Sequence, residues 1–305
     1  MMYRTGFLGL IGQPNAGKST LMNFLVDEKV SIVTAKPQTT RRRVLGLWSS
    51  DEGQIVFVDA PGLIRADQGL NGFLAKEAGE VIADSDALLA VVSVDEKAAE
   101  DNEKTLELVA SSGKPWIGIV TKTDLGEKGH RVLILKDMIE KRKGKALSLS
   151  LKNPKSREAQ EDREALLLEC LALMPEAPAP LYDIELFTPE SERALICEII
   201  REKCFEHVHQ EIPFGIAVRM IKFDEMAEPV PRIAVEVLVS KENHKGIVIG
   251  KAGSVLKQIG TDARKDIEKL LGQKVFLELK VSVREDWAKN QRLMKELGYA
   301  HERKS

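Results

Sequence analysis

The sequence predicts an α/β domain built on a parallel sheet, followed by a second, smaller α+β domain. Short apolar runs recur at 7–11, 55–58, 87–94 and 116–120, and helix-like stretches follow several of them. This alternation is typical of strands that pair in parallel through helical crossovers. The chain has 305 residues, and a typical domain of about 150 residues indicates two domains.

The border between the domains is predicted from three prolines within residues 174–180. Proline removes a backbone donor and disfavours both helix and strand. We therefore predict a first domain at 1–174, a Pro-rich linker at 175–181 and a second domain at 182–305.

The elements of the second domain are predicted from the spacing of apolar residues. A helix-like stretch at 189–207 precedes strand-like stretches at 214–223 and 233–240. A glycine loop then leads into a helix with one apolar stripe, formed by Leu256, Ile259, Ala263, Ile267 and Leu270. From Val275 to Val283 the apolar residues alternate as on one face of a strand, and a last short helix is expected around Leu293.

A phosphate-binding loop of the pattern G-x-x-x-x-G-K-[ST] begins where the first apolar run ends. Its residues are Gly12, Gln13, Pro14, Asn15, Ala16, Gly17, Lys18 and Ser19, with Thr20 beside them. The backbone N–H groups of such a loop curl around a β-phosphate, which favours glycine at Gly12 and Gly17. Lys18 supplies positive charge to the phosphate oxygens, and the Ser19 hydroxyl binds Mg²⁺. The chain is therefore predicted to bind a nucleoside triphosphate.

A D-x-x-G motif follows the run 55–58. Its residues are Asp59, Ala60, Pro61 and Gly62. Asp59 is predicted to hold Mg²⁺ through water, and the Gly62 N–H is predicted to reach the γ-phosphate.

Thr121, Lys122 and Asp124 follow the run 116–120, at the sheet edge where a nucleotide base would lie. A carboxylate at Asp124 accepts two hydrogen bonds, from the N1–H and the 2-amino group of guanine, which adenine cannot offer. The stem of Lys122 is predicted to lie over the purine ring. This motif therefore favours GTP.

Composition limits the remaining function classes. The 45 Lys and Arg against 47 Asp and Glu give a net charge of −2, so the whole chain shows no polyanion-binding signal. Cys170, Cys197 and Cys204 lack metal-type spacing, are expected to be inert thiols and are typical of a reducing cytosol. We see no signal-peptide pattern, and the run 87–94 is too short for a membrane span. A cytoplasmic protein is expected, with peripheral membrane contact left open.

A G-x-x-G motif lies between apolar residues that end at Ile249 and the predicted helix of the second domain. Its residues are Gly250, Lys251, Ala252 and Gly253. Residues 244–274 hold seven Lys and Arg against three Asp and Glu, a net charge of +4 within a neutral domain. This local basic stripe indicates contact with RNA phosphates, and we predict Ile249, the G-x-x-G residues and Lys257 as the RNA-binding set.

Together these motifs resemble those of the bacterial Era GTPase family over nearly the whole chain. Gln38-Thr39-Thr40-Arg41 resembles the first switch of that family, residues 198–203 resemble the entry helix of its second domain, and residues 248–260 resemble its KH loop and helix. The resemblance implies a Ras-like P-loop GTPase domain with a C-terminal α+β KH domain, which hydrolyses GTP to GDP with Mg²⁺. It also implies binding of 16S ribosomal RNA near its 3′ end and a role in small-subunit assembly. A monomer is expected, and peripheral association with the inner membrane is left open.

The resemblance assigns further residues. The first switch is Gln38, Thr39 and Thr40, and the second is Asp59, Ala60, Pro61, Gly62 and Leu63. Thr39 is our choice of Mg²⁺ ligand, with Thr40 as the rival. Ser150, Leu151 and Lys152 match the loop that contacts guanine, with Ser148 as a competing register. Thr121 replaces the usual Asn of the base motif, so weaker guanine affinity is expected.

The catalytic residue of Ras-type enzymes has no counterpart here, because Leu63 stands where they carry a Gln that orients the attacking water. Slow intrinsic hydrolysis is therefore expected. The resemblance implies another way of orienting water, and we hypothesise that Asn15 binds K⁺ beside the phosphates.

Two other functions stay open from the sequence. One is a constitutive RNA-binding protein whose nucleotide domain is structural. The other is a GTP-gated peripheral membrane or division regulator, in which the basic stripe contacts anionic lipid.

Overall fold

The structure, a computed structural model, describes residues 2–34, 36, 39–63, 68–95, 99–124 and 129–299. The chain forms two compact units. The first comprises Met1–Ala66 and Leu74–Pro189, and the second comprises Asp67–Phe73 and Glu190–Ser305.

The first unit is built on a six-stranded sheet in the order β2-β3-β1-β4-β5-β6. The strands are β1 Arg4–Ile11, β2 Val44–Ser49, β3 Gly53–Asp59, β4 Ala87–Ser93, β5 Trp116–Thr121 and β6 Lys145–Ser148. β2 is antiparallel to β3, and the other neighbouring strands are parallel. β3 and β4 are buried at every position, as expected for strands covered on both faces. The predicted α/β class is confirmed, and the four apolar runs lie in β1, β3, β4 and β5.

Helices cover both faces of this sheet. They are α1 Lys18–Val26, α2 Gly69–Asp84, α3 Ala99–Ala110, α4 Gly129–Lys141 and α5 Arg157–Ala172. The part of α2 that belongs to this unit begins at Leu74. Because successive strand residues point to opposite faces, Leu89 and Val91 of β4 pack with α1 and α5. Leu88, Ala90 and Val92 pack on the other face with α2, α3 and α4. The carboxyl ends of β1, β3 and β5 therefore meet at one edge, where the three nucleotide motifs begin.

The segment predicted as a linker lies along the first unit. Its bonds are Thr5 N–H to Pro175 O at 3.0 Å, Ala177 N–H to Tyr3 O at 2.8 Å, and Leu181 and Tyr182 N–H to Gln54 Oε1 at 2.9 Å each. Farther on, Leu47 N–H donates to Phe187 O at 2.8 Å and the Thr188 hydroxyl donates to Leu45 O at 2.6 Å. Because these bonds hold residues 175–188 on the first unit, the division between the units falls after Pro189 rather than at residues 181–182.

The second unit is a three-stranded sheet covered on one face by helices. Its elements are α6 Glu192–His207, β7 Ala217–Asp224, β8 Arg232–Val239, α7 Glu242–Ile249, α8 Ser254–Leu271, β9 Phe276–Val283 and α9 Gln291–Glu296. The strand order is β7-β8-β9, with β7 antiparallel and β9 parallel to β8. Ile259, Ala263 and Ile267 on α8 are fully buried, which confirms the predicted apolar stripe.

The helices of the described ranges are all too short or too polar to span a membrane.

Cys170 and Cys204 are buried free thiols, and burial raises the pKa of Cys204 to about 12. His207 Nε2 lies 2.9 Å from an Asp262 carboxylate oxygen. Within the described part of the chain, no cluster of three or more His, Cys, Asp or Glu could hold a metal ion.

Candidate nucleotide and nucleic-acid sites

The phosphate loop joins β1 to α1, and its two glycines are required for different reasons. Gly17 has φ +100°, in the left-handed region that glycine tolerates. A Cβ on Gly12 would lie 2.4 Å from Val91 O, so its requirement is steric. Asn15 also has a positive φ of 63° and is exposed. The loop leads directly into the first turn of α1, where free N–H groups favour an anion.

Lys18 lies inside this loop. The residue is 6% exposed, and its Nζ donates to Gly12 O at 3.0 Å and to Gln13 O at 3.1 Å. Burial lowers the pKa of the ammonium, and the charge of Asp59 acts in the opposite direction. The ammonium is held by two neutral carbonyl oxygens, which charged phosphate oxygens could replace.

Three hydroxyl groups converge on one oxygen of Asp59 at the end of β3. Asp59 Oδ2 accepts hydrogen bonds from Ser19 Oγ at 2.5 Å, Ser31 Oγ at 2.9 Å and Thr40 Oγ1 at 3.3 Å. The residue is fully buried, and among the described residues its other oxygen, Oδ1, has no hydrogen-bond partner. Burial raises the pKa of this carboxyl, opposed by Lys18 and the hydroxyl donors. Carboxylate and hydroxyl oxygens around an unpartnered buried oxygen fit a hard divalent cation such as Mg²⁺.

The two switch threonines have different surroundings. Thr40 Oγ1 lies 3.0 Å from Ser19 Oγ, within the group around Asp59. Thr39 Oγ1 instead donates to Lys36 O at 2.8 Å and lies 2.8 Å from Thr34 Oγ1. The structure therefore brings the rival, Thr40, to the cation site and not Thr39, our sequence-based choice. Gln38 lies outside the described residues.

The D-x-x-G turn packs against the phosphate loop. A Cβ on Gly62 would lie 2.7 Å from Pro14 N, so a larger residue would displace the loop. Leu63 N–H donates to Gly12 O at 3.3 Å, and the Leu63 side chain packs against the core on the α2 face. Ala60 and Pro61 are both buried.

The base motif extends from the end of β5. The Thr121 hydroxyl lies 2.7 Å from Ala16 O and 3.1 Å from Val92 O, which ties this strand to the phosphate loop. Lys122 has φ +59°, and Asp124 is exposed. Asp124 Oδ1 accepts a hydrogen bond from Ser150 Oγ at 3.2 Å.

The second base segment follows β6. Ser148 is the last residue of that strand and pairs with Val120, whereas Ser150 lies beyond it and reaches Asp124. Lys152 N–H donates to Ser150 Oγ at 3.4 Å, and Leu151 packs against the core on the α1 face. The structure thus favours the Ser150 register.

A cavity of about 460 Å³ unites most of these groups. It is lined by Pro14, Asn15, Gly17, Lys18, Ser19, Thr20, Ile32, Val33, Thr34, Thr39, Thr40, Gly62, Asp95 and Lys122. Its volume is in the range of small-molecule sites.

Some residues that organise this site lie outside the motifs. Asn23 Oδ1 accepts the Ser31 N–H at 2.8 Å, and its Nδ2 donates to Ser31 O at 2.7 Å, which positions the Ser31 hydroxyl for Asp59. Arg43, three residues after Thr40, bonds with carboxylates of α2: Glu77 at 3.2 Å, Glu80 at 2.5 Å and Asp84 at 3.1 Å. No sequence pattern marks these residues. The Ser31 hydroxyl and Arg43 bond with partners at least 28 positions away, and Asn23 bonds with a loop that has no motif of its own.

The G-x-x-G loop joins α7 to α8 in the second unit. Gly250 and Gly253 have φ of +76° and +78°, and Ala252 between them has φ 50°. A Cβ on Gly250 would lie 2.8 Å from Val255 N, whereas a Cβ on Gly253 would meet open space. Gly253 is therefore the position where another molecule can approach the backbone.

A groove of about 500 Å³ begins at this loop. It is lined by Gly253, Leu256, Lys257, Gly260, Thr261, Arg264, Leu277 and Leu279. Two predicted RNA-binding residues, Gly253 and Lys257, line it, and Lys251 and Ala252 are exposed beside it. Ile249 packs against the core instead. The leucines of β9 were missed because they follow the loop at a distance in sequence.

The two units together define a class of protein, a P-loop GTPase with a C-terminal KH domain. A family model described as 50S ribosome-binding GTPase matches residues 7–122, and a KH domain model matches residues 211–288.

Relatives match over nearly the full chain. The GTPase Era of Syntrophus aciditrophicus is 41% identical over 300 residues, which cover 98% of this chain and 96% of that protein. The GTPase Era of Geobacter metallireducens is 38% identical over 301 residues, which cover 97% and 98% of the two chains. The chain belongs to the Era GTPase family, as its motifs predicted.

Two solved Era structures resemble this one. A variant of Aquifex aeolicus Era bound to GDP·AlF4⁻ has a TM-score of 0.88 at 33% identity. Era in complex with MgGDPNP and nucleotides 1506–1542 of 16S ribosomal RNA has a TM-score of 0.89 at 32% identity. Each match covers 98% of this chain and 100% of the other.

We expect Thr40→Ala to weaken Mg²⁺-dependent binding of a non-hydrolysable GTP analogue by about tenfold, because it removes a hydroxyl beside Ser19 and Asp59. Thr39→Ala is the matched control, and its affinity is expected to change by less than about twofold. Titration of a fluorescent analogue with and without Mg²⁺ measures both. A larger Mg²⁺-dependent loss in Thr39→Ala than in Thr40→Ala would return the assignment to Thr39.

Proposed function

We propose that this protein binds GTP with Mg²⁺, hydrolyses it to GDP and phosphate, and uses the nucleotide state to control binding to 16S ribosomal RNA during small-subunit assembly. The observation that carries this proposal is the convergence of Ser19, Thr40 and Asp59 beside the phosphate loop, where one buried Asp59 oxygen has no hydrogen-bond partner in the described part of the chain. Its RNA part is supported by the groove at the G-x-x-G loop and by the Era complex with 16S ribosomal RNA.

The phosphate groups would be held by the loop N–H groups and by Lys18, which exchanges the Gly12 and Gln13 carbonyls for phosphate oxygens. Mg²⁺ would be held by Ser19 and Thr40 and, through water, by Asp59; when bound, it neutralises charge on the phosphates. Because Thr40 and Ser31 both reach Asp59, the residues around the first switch respond to what occupies this site. Release of phosphate would then loosen the segment that carries Thr40.

Hydrolysis would be slow without a partner. Leu63 offers no hydrogen bond to a water, and its side chain is packed against the core rather than held by a polar group. Asn15 is exposed at the loop tip and lines the cavity, where its amide oxygen could bind K⁺ beside the phosphates. We therefore keep K⁺ as a proposed activator.

The groove would hold single-stranded RNA by two kinds of contact. Lys257 and Arg264 supply positive charge to phosphates near the first turn of α8, and the open backbone at Gly253 permits close approach of a sugar-phosphate. Leu256, Leu277 and Leu279 provide an apolar wall against which bases can pack.

We propose the cytoplasm as the site of action. The monomeric state and peripheral contact with the inner membrane stay predictions.

Asp124→Asn is expected to reverse base preference, because an amide no longer accepts both N1–H and the 2-amino group of guanine but can donate to the 2-oxygen of xanthine. Competition between GTP and XTP should shift toward XTP by about a hundredfold or more. Asp51→Asn, at an exposed carboxylate in a turn, is the control and should leave the preference unchanged. An unaltered preference in Asp124→Asn would overturn the assignment of the base site.

Gly253→Asp is expected to reduce affinity for an RNA with the 3′ end of 16S ribosomal RNA by about tenfold or more, because the added carboxylate faces the groove and repels phosphate. Gly272→Asp is a matched control, since Gly272 also has positive φ, +66°, with open space around it but lies at the other end of α8. Filter binding with this RNA and with anionic vesicles measures both partners. Equal RNA binding by the two variants would overturn the assignment of the loop to RNA, and a loss confined to vesicles would favour the membrane function.

GTP turnover is expected to be several-fold faster in KCl than in NaCl at equal ionic strength, because Asn15 would place K⁺ beside the phosphates in place of a protein cation. Asn15→Ala should remove this difference while leaving GDP binding within about threefold. Phosphate release under both salts gives the rates. Identical rates of the unaltered protein in the two salts would exclude the K⁺ role.

The same phosphate-release assay also tests the alternative of a constitutive RNA-binding protein. Bound GTP that never turns over, even with RNA, would favour a structural nucleotide domain.

A further inference from the structure

The base motif of this chain begins with a threonine, and the structure shows where its hydroxyl is directed. Thr121 Oγ1 lies 2.7 Å from Ala16 O and 3.1 Å from Val92 O. The residue is 2% exposed, so its side chain is packed between the phosphate loop and β4. The next residue, Lys122, lines the nucleotide cavity.

A threonine hydroxyl has one proton to donate. Both neighbours of Oγ1 are backbone carbonyls, which only accept, so the proton is used within the protein. The lone pairs of Oγ1 cannot bond with another acceptor. Thr121 therefore has no donor left for a ligand.

A guanine ring presents donors at N1–H and the 2-amino group and acceptors at O6 and N7. Asp124 is placed to accept from the donors. A purine that extends from the phosphate loop to Asp124 passes residue 121, because Thr121 contacts Ala16 of the loop. An asparagine at this position would have two N–H groups, one for Ala16 O and one for N7.

We propose that this chain recognises guanine without a side-chain hydrogen bond from residue 121 to N7. Thr121 acts as a positioning residue that ties β5 to the phosphate loop, and base selectivity rests on Asp124. This inference rests on the proposed GTP function and specifies how the same site selects its ligand. Nucleotides of 7-deazaguanine, which carry C–H in place of N7, should bind as well as those of guanine.

Calorimetric titration of the full chain with GDP, 7-deaza-GDP and IDP in the presence of Mg²⁺ tests this. The dissociation constants of GDP and 7-deaza-GDP should agree within about twofold, and IDP, which lacks the 2-amino group, should bind about tenfold more weakly. A penalty above about fivefold for 7-deaza-GDP would overturn the inference. IDP that binds as tightly as GDP would overturn the reliance on Asp124.

Two variants separate a contact to the base from a structural role. Thr121→Asn should introduce a donor, so that GDP binds about fivefold or more tightly than 7-deaza-GDP; an unchanged ratio would show that residue 121 does not face N7. Thr121→Val keeps the shape but removes the tether, and both nucleotides should weaken by the same factor. A loss of GDP affinity in Thr121→Val without an equal loss of 7-deaza-GDP affinity would mean that the hydroxyl does contact N7.

Failure of the unaltered protein to bind any guanine nucleotide would contradict the proposed function itself, and this inference with it.

Discussion

A fully buried carboxylate at the end of β3 sets the main constraint on the first unit. An ionised Asp59 loses its hydration, and the hydroxyl donors of the described segments compensate only one of its oxygens. Such a group is costly unless a cation completes its environment. Lys18 partly meets this need, because its charge opposes the effect of burial, which raises the pKa of the Asp59 carboxyl. The site is thus arranged for a metal ion before any ligand arrives.

The same constraint explains how distant segments become connected. Ser19 belongs to α1, Ser31 lies in the loop held by Asn23, and Thr40 lies before β2, yet their hydroxyls share one acceptor. A change in the charge around that acceptor affects all three at once. Arg43 extends the connection to α2 through three carboxylates, so ion pairs also hold the segment that carries Thr40 to that helix.

Much of this arrangement could be predicted because parallel strands place their carboxyl ends at one edge. The positions of the phosphate loop, the D-x-x-G turn and the base motif followed from the apolar runs before them. Thr39 and Thr40 could not be distinguished, since they are adjacent and identical, and only the path of the chain decides which hydroxyl faces Asp59. Ser148 and Ser150 were ambiguous because the end of β6 depends on pairing with β5.

Other features required the folded chain. Asn23 and Arg43 act through partners that no local motif reveals, and the groove of the second unit has a wall on β9, beyond α8. The prolines after α5 correctly indicated a segment that is neither helix nor strand. The prolines did not reveal the hydrogen bonds between this segment and the sheet. Those bonds depend on Gln54 and on carbonyl and amide groups of β1 and β2.

Those bonds also determine how much of the chain the first unit needs to keep all of its hydrogen bonds. A fragment that stopped at Met174 would remove the bonds that residues 181–188 make with the Gln54 carboxamide of β3 and with the Leu45 carbonyl and Leu47 amide of the edge strand β2. The segment up to Pro189 is therefore part of the first unit, where it supplies hydrogen bonds at the β2 edge of the sheet. An expressed fragment that keeps this unit intact has to end after Pro189.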